Sequence, residues 1–295
     1  MISVIIPHLN QPDALEACLR SLDAQTLARH SFEVIVVDNG SATAPIDVVA
    51  GHPGVRLAHE SRPGPGPARN AGAACANGDI LAFMDADCRA HPDWLTAIQR
   101  AFRELGPATI LGGEVRIQPA VEGRFTAIEA YESVFGFRNR LYVTKHGYSV
   151  TANLAVRRAD FAAIGPFPGI QFAEDMQWGQ MAMRAGCEFR YVPEMIAFHP
   201  ARRSLRELYA KWDRQITHYR NIAQGARGWQ LRWLALSLLI LASPAVGAIT
   251  VLTTGRLHGI SARLKAIGVL CAVRSHRTAK MLALLRGEGS VIWNR

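Results

Sequence analysis

No Cys-x-x-Cys pair occurs in the chain: the five cysteines, Cys18, Cys75, Cys88, Cys187 and Cys271, are odd in number and scattered through 295 residues. A disulfide framework or a zinc module needs paired spacing, so neither is expected. Internal repeats and low-complexity tracts are also missing, and a hydrophobic fraction of 49% speaks for a real core and against disorder. At the N-terminus, MISVIIPHLN has no basic stretch ahead of a long apolar one and reads as a first strand, not a signal peptide. Acidic residues are scarce in one part only. Residues 200–295 hold 3 Asp plus Glu against 16 Lys plus Arg, whereas residues 1–199 hold 21 against 17; formal nets of +13 and −4 make up the +9 of the chain.

A basic tail suits nucleic acid or an anionic membrane surface, and neighbouring hydrophobicity decides between them. Trp233 to Leu252 is a run of twenty residues without a charge. As a helix it would be about 30 Å long, the thickness of a bilayer core. A membrane is therefore the expected partner, not nucleic acid. Pro244 and Gly247 predict a kink, and a span, a re-entrant or interfacial hairpin and a buried core helix all stay open. Basic residues on both flanks give no orientation. Just upstream, Ser204 and Glu207 have capping-box spacing ahead of an apolar stripe, Leu205, Leu208, Tyr209, Trp212, Ile216 and Tyr219. That basic amphipathic helix either packs on its own domain or lies in a membrane interface.

The first two hundred residues alternate short β-branched runs with helical patterns, the signature of a mostly parallel sheet covered by helices. Strands are expected near Ile2 to Ile6, Glu33 to Val37, Val55 to Ala58, Ile80 to Met84 and Thr109 to Ile117. Between the first two, Asn10 is the expected cap of a helix with Pro12 in its first turn, and Leu15, Cys18, Leu19 and Leu22 form one apolar face. Leu95, Ile98, Phe102 and Leu105 repeat that spacing behind Pro92.

Chemistry gathers at the strand ends. Ile80 to Met84 is apolar without alternation, as in a central strand buried on both faces, and Asp85 and Asp87 emerge at its carboxyl end on one side of the chain. Two neighbouring carboxylates repel unless a cation joins them, and Mg²⁺ or Mn²⁺ is the natural partner, one that also holds phosphates. The plain alternative is a turn that uses Asp as a cap. Asp38 and Asn39 end the second strand at the same edge, where they suit a pyrimidine imide edge or ribose hydroxyls. The intervening SRPGPGPARNAG carries Gly64 and Gly66 for close backbone approach, but it lacks the third small residue of a dinucleotide fingerprint and follows the wrong strand.

Taken in order, ISVIIPHLN, VVDNGS, GPARNAG, ILAFMDADC, TANLAVRR, IGPF, AEDMQWGQMAMRAG and YVPEMIAFH resemble the inverting family 2 glycosyltransferases over about residues 1–210. The resemblance implies an α/β GT-A fold, a Rossmann-like mixed sheet flanked by helices. It implies that the Pro7 region with His8, Asn10 and Asp38 binds the nucleotide base, that Arg69 contacts nucleotide and that Asp85 lies near ribose. Asp87 would bind the metal, with His199 a ligand in some members; a histidine alone is as readily structural. Asp175, with Glu174 beside it, would be the catalytic base. Taken alone, that pair after Phe172 could simply favour the positive end of a helix. Inverting transfer needs a carboxylate to take the acceptor proton and a cation to neutralise the leaving diphosphate, and Asp175 and Asp87 divide those tasks.

Gln177 stands where many relatives carry a second acidic residue, and His8 where a small or hydroxyl residue is common. No QxxRW-like motif appears, so addition of a single sugar is expected. The expected organisation is a GT-A domain at 1–203, a basic amphipathic helix at 204–228 and a basic, hydrophobic helical membrane-association region at 229–295. The expected function is metal-dependent transfer from a nucleotide diphospho-sugar, uridine the first guess, to a lipid-linked saccharide or glycolipid of the cell envelope. The catalytic domain would face the cytoplasm at the cell membrane. The competing readings are a non-catalytic glycosyltransferase-like protein that binds nucleotide or acts as a scaffold at the membrane, and a soluble nucleotidyltransferase.

Overall fold

A computed structural model describes residues 1–169 and 174–287. The chain forms β1 (Ile2–His8), α1 (Pro12–Asp23), β2 (Phe32–Asp38), α2 (Ile46–Ala50), β3 (Val55–His59), α3 (Pro65–Cys75), β4 (Ile80–Phe83), β5 (Arg89–Ala90), α4 (Trp94–Glu104) and β6 (Thr109–Gln118). There follow α5 (Ala127–Phe135), α6 (Asn139–Leu141), β7 (Leu154–Arg157), α7 (Arg158–Ile164), α8 (Glu174–Arg184) and β8 (Glu188–Pro200). The rest is helical: α9 (Leu205–Ala223), α10 (Trp229–Ala242), α11 (Pro244–Thr253) and α12 (Ile260–Leu285). Two compact units result, Met1–Arg116 with Arg138–His199, and Ile117–Phe137 with Pro200–Arg295. The division does not follow chain order, because the excursion carrying α5 leaves the first unit's sequence and joins the helices.

In the first unit an eight-stranded sheet has the order β3-β2-β1-β4-β7-β6-β8-β5. β1, β2, β3 and β4 are parallel, whereas β7 runs antiparallel to β4 and β6, and β8 antiparallel to β5. The sheet is mixed, as the family resemblance implies, and less parallel than the strand and helix alternation alone suggests. β1 alternates its faces: Ile2, Val4 and Ile6 pack with Leu15, Cys18, Leu19 and Leu22 of α1 and with Trp94 and Ile98 of α4. Ile5 joins Ala68 of α3, Phe83, Phe161, Phe167 and Trp178 on the other face. Burial on both faces is why these strands read as unbroken apolar runs. Helix α3 lies so close to β1 that a Cβ on Gly72 would stand 2.5 Å from Ile5 Cγ2.

Asn10 does not cap α1. Gln11 holds the cap position without a side-chain bond, and Asn10 sits in the left-handed region at φ 53°, which asparagine tolerates better than most residues. Its side-chain oxygen instead accepts the Ala42 N–H at 2.8 Å, and its own N–H donates to Ser41 Oγ at 2.9 Å. The loops after β1 and β2 are thereby tied together.

In the helical unit, Ser204 caps α9 by accepting the Glu207 N–H at 3.3 Å, while the Glu207 carboxylate turns to the Arg203 N–H, so only half of the expected box forms. A complete box, unmarked in the sequence reading, starts α5 at Thr126 and Glu129. The middle of the α9 stripe packs within this unit: Leu208 is buried with Tyr131, Val269, Leu270 and Val273, and Tyr209 and Trp212 lie against them. The ends of the stripe, Leu205 and Tyr219, are exposed. The uncharged run breaks where Pro244 opens α11, bent 43° from α10. Among the described residues no single helix is long and apolar enough to cross a membrane; the bent pair α10 and α11 is so only jointly. Its outer side is bare of partners, with Leu231 76%, Leu239 67% and Val246 69% exposed.

His52, just beyond α2, bridges two carboxylates of α1, Asp23 at 2.5 Å and Glu16 at 3.0 Å. Burial alone would lower its pKa, but the two carboxylates outweigh burial and raise it. A raised folded-state pKa means that the bridge stabilises fully below the unfolded value of about 6.5 and is lost as pH rises through the folded value. Urea unfolding from about pH 6 to 9 is expected to show the wild-type advantage over His52→Gln shrinking with pH, whereas an advantage that stays constant would remove the imidazolium from the account.

Candidate active site

Parallel pairing brings the site together. In register, His8 of β1 faces Asp38 of β2, and Ile5 faces Phe83 of β4, so His8, Asp38 and Asp85 reach the same carboxyl edge of the sheet. A cleft of about 290 Å³ opens there, lined among others by Pro7, His8, Asn39, Gly64, Arg69, Asp85 and Asp87. A larger hollow of about 570 Å³ beside α3 is lined by Arg62, Asn70 and Phe167 among others. Among the described residues it holds no carboxylate or imidazole, and Arg62 is already paired with Glu60, so the smaller cleft is the reactive one.

The polar groups at the cleft wall are ordered by one another. The Gln11 N–H donates to His8 Nε2 at 3.2 Å, which assigns the ring proton to Nδ1, 3.3 Å from Asp38 Oδ1. Burial pushes the Asp38 carboxyl up, but hydrogen bonds from Ser41 and His8 prevail and hold it below its usual range. Asn39, which does line the cleft, clamps the following loop: its amide donates to the carbonyls of Glu60 and Arg62 at 2.9 and 2.8 Å and accepts the Gly64 N–H at 2.7 Å. Gly64 takes φ 118°, so that loop has its glycine where the backbone requires one.

Arg69 on α3 is the hub. Its side chain is 4% exposed, and it donates to Asp85 Oδ1 at 2.6 Å and to Glu174 at the start of α8. Burial works against its charge, but Asp85, Glu174 and Asp175 outweigh burial and raise its pKa. Those acids feel the opposite balance. Burial pushes Glu174 and Asp175 up, Arg69 pulls them down, and repulsion among the carboxylates leaves both above the usual range. Thr151 Oγ1 donates to Asp175 Oδ1 at 3.0 Å. Thr151 is in place because β7 runs antiparallel to β4, which brings the segment before Leu154 to the carboxyl edge. Asp175 is therefore an oriented carboxylate with heightened proton affinity. Phe172, ahead of the pair, lies outside the described residues. A Cβ on Gly66 would stand 2.7 Å from Glu174 Oε2, so α3 needs glycine there to admit the acid.

A second antiparallel pairing supplies the metal candidates. Arg89 of β5 faces Phe198 of β8, which sets His199 against the residues just before β5. His199 Nε2 lies 3.7 Å from Asp87 Oδ2, and one ligand atom each from Asp87, Cys88 and His199 falls within 4.8 Å of the others. Ligands about 2.1 Å from an octahedral ion stand roughly 3 to 4.2 Å apart, so Asp87 and His199 fit a divalent cation. Burial raises the Asp87 pKa, His199 opposes that and Asp85 adds to it, an excess of negative charge that a cation relieves. The Cys88 thiol is fully buried, and burial with Asp85 and Asp87 pushes its pKa well up, so it stays protonated and suits packing better than hard-cation ligation.

Residues 3–165 match the model of the glycosyl transferase family 2, more than half of the chain. The chain belongs to that family. Among curated relatives, this glycosyltransferase is 31% identical to AglE of Haloferax volcanii over 207 residues, 68% of this chain and 67% of that one. It is 28% identical to the pre-mycofactocin glycosyltransferase of Mycobacterium tuberculosis over 222 residues, covering 71% of this chain but 45% of the relative. A mannosyltransferase of Pyrobaculum calidifontis in complex with GDP-Man and Mn²⁺ shares the fold, with TM-score 0.63 and 18% identity over 98% of this chain and 88% of that one. So does S. aureus TarS 1–349 in complex with UDP-GlcNAc, with TM-score 0.55 and 19% identity over 97% and 92%. These are GT-A neighbours, and the glycosyltransferase has their mixed α/β architecture.

Of the residues singled out in the sequence of this family 2 enzyme, Pro7, His8, Arg69, Asp85 and Asp87 line the cleft. Glu174 reaches it through Arg69, and His199 stands against Asp87. Asn10 and Asp38 do not line it; their polar groups are engaged in the loops after β1 and β2. Asn39, marked in the sequence by its place at the strand end, lines the cleft as expected, whereas Gln11 and Thr151 were not marked there. Thr151 carried no signal, because only the β4 and β7 register places it. Replacing Arg69 by Met strands buried carboxylates and is expected to cost about 3–5 kcal/mol of unfolding free energy in urea, against about 1 kcal/mol if the pairs were merely peripheral.

Proposed function

We propose that the enzyme transfers one sugar, with inversion at the anomeric carbon, from a nucleotide diphospho-sugar to a lipid-linked or cell-envelope glycan acceptor at the membrane. The observation that carries the reading is Asp175, half-buried, oriented by Thr151 and raised in proton affinity, coupled through Arg69 to the acidic cleft at Asp85 and Asp87. The acceptor hydroxyl proton passes to Asp175 as its oxygen bonds to the anomeric carbon and the bond from that carbon to the diphosphate breaks. Arg69 holds Asp85 and Glu174 in place. Pro7, His8 and Asn39 form the wall against which the nucleoside lies, with uridine the first candidate. Asp87 and His199 would hold a divalent cation, Mn²⁺ or Mg²⁺, whose charge neutralises the departing diphosphate. The Mn²⁺ in the Pyrobaculum calidifontis neighbour supports that part of the reading.

Membrane attachment of the helical unit, with the catalytic unit on the cytoplasmic side, accounts for the exposed apolar residues of α10 and α11 amid a strong excess of basic charge. A bent helix pair with Leu231, Leu239 and Val246 uncovered is costly in water and comfortable at a lipid interface.

Release of nucleoside diphosphate from a panel of nucleotide sugars tests the reading. One donor should be hydrolysed slowly with Mn²⁺ and not at all by Asp87→Ala; full activity in that variant would sink the metal assignment. Asp175→Asn should bind donor nearly as wild type while turnover falls by roughly 10²–10⁴. Because burial raises the Asp175 pKa and the base works only when deprotonated, turnover should decline as pH falls through a value above the usual ~3.9. A flat acid limb, or unchanged turnover in Asp175→Asn, would mean another base.

A further inference from the structure

Within the helical unit, Arg274 and Arg277 lie close together with no counter-charge among the described residues. Arg274 and Arg277 of α12 and Arg220 of α9 each keep a buried Nε with no hydrogen-bond partner among the described residues. Arg277 stands over Trp212, its guanidinium carbon 3.8 Å from the ring centroid. Contact of this kind restrains the guanidinium and leaves its N–H groups able to donate. The buried Tyr131 of α5 shares the spot: burial pushes its phenol up, while Arg274 and Arg277 pull it down.

The carboxylates on the packed elements are engaged elsewhere. Glu132 of α5 holds Arg202, and Asp213 of α9 holds His276 at 2.8 Å. Burial and the neighbouring Arg274 press Arg277 down to about 10, the mark of a cation kept among cations. A protein rarely leaves buried guanidinium nitrogens unpaired unless something else supplies the anion. Planar forks suit a phosphate, which accepts two donors from each.

We infer that Arg277, held over the Trp212 ring, and the neighbouring Arg274 form a binding site for a phosphate or diphosphate group within the helical unit. Its chemistry is the same whether the group is a lipid headgroup or free in solution. The exposed apolar surface of α10 and α11 in the same unit favours the headgroup. That preference, and only that, rests on the membrane-bound acceptor proposed above.

Thermal unfolding of the full chain in EDTA, with inorganic diphosphate or with sulfate at equal ionic strength, tests the site. Diphosphate should raise the wild-type Tm, and the Arg274→Gln/Arg277→Gln variant should not respond. Without ligand, that variant should melt above wild type, because like charges no longer face each other. Arg277→Lys, which keeps the charge and loses the fork, should need roughly tenfold more diphosphate for the same shift. Asp87→Ala, altered only in the donor cleft, should respond as wild type, so the donor assignment and this site can fail separately. An equal shift in the double variant would overturn the site. Flotation with phosphatidylcholine vesicles then identifies the source. Preference of the wild type for vesicles carrying a phosphate-monoester lipid over a phosphodiester lipid, matched in total charge and lost in the double variant, assigns a headgroup. A Tm response without that preference assigns a free phosphate, and absence of both responses overturns the proposal.

Discussion

Three carboxylates crowd the carboxyl edge of the sheet, and one guanidinium makes that arrangement tolerable. Arg69 reaches Asp85 from α3 on one side and Glu174 on the other, with Asp175 near enough to feel its charge. The acids arrive from different parts of the chain, β4 and α8, and meet only because α3 is pressed against β1 through Gly72 and admits Glu174 beside Gly66. The compensation is incomplete. Burial and mutual repulsion still raise Glu174 and Asp175, and a carboxylate in that condition is suited to receive a proton.

Much of this was legible in the sequence, for identifiable reasons. β1, β2 and β4 are buried on both faces, so their strands are unbroken apolar runs and the acidic residues that end them stand out. Helix α1 shows its face because one side packs on the sheet and the other meets water. What stayed hidden depends on register. Thr151 reaches Asp175 only because β7 returns antiparallel to β4, and His199 reaches Asp87 only because β8 returns antiparallel to β5. Asn10 misled for a local reason: asparagine before a proline-led helix is a fair cap, but here the left-handed backbone turns its side chain to the loop after β2. The union of residues 117–137 with the C-terminal helices has no sequence signal, since α5 carries an ordinary apolar face whose partners lie far along the chain, from Leu208 to Val273.

The two units handle charge in opposite ways. In the sheet unit, acids are compensated from within, by Arg69, by the His8 and Ser41 bonds to Asp38, and by His52 between Glu16 and Asp23. In the helical unit, basic side chains outnumber acids, and the Arg274 and Arg277 pair has no counter-charge among the described residues. Exposed apolar helices in a unit rich in basic charge make a surface that water alone serves poorly, which is the physical basis for the proposed placement at lipid.

In the proposed donor site Asp87 and His199 hold a divalent cation beside the acidic cleft, and the free Mn²⁺ signal in electron paramagnetic resonance reads that binding without recourse to activity. Titrating the enzyme with Mn²⁺ should show one ion bound far more tightly when nucleoside diphosphate is present, with that gain lost in Asp87→Ala and in His199→Ala. Mn²⁺ binding that ignores the nucleotide, or that survives both substitutions, would contradict the account.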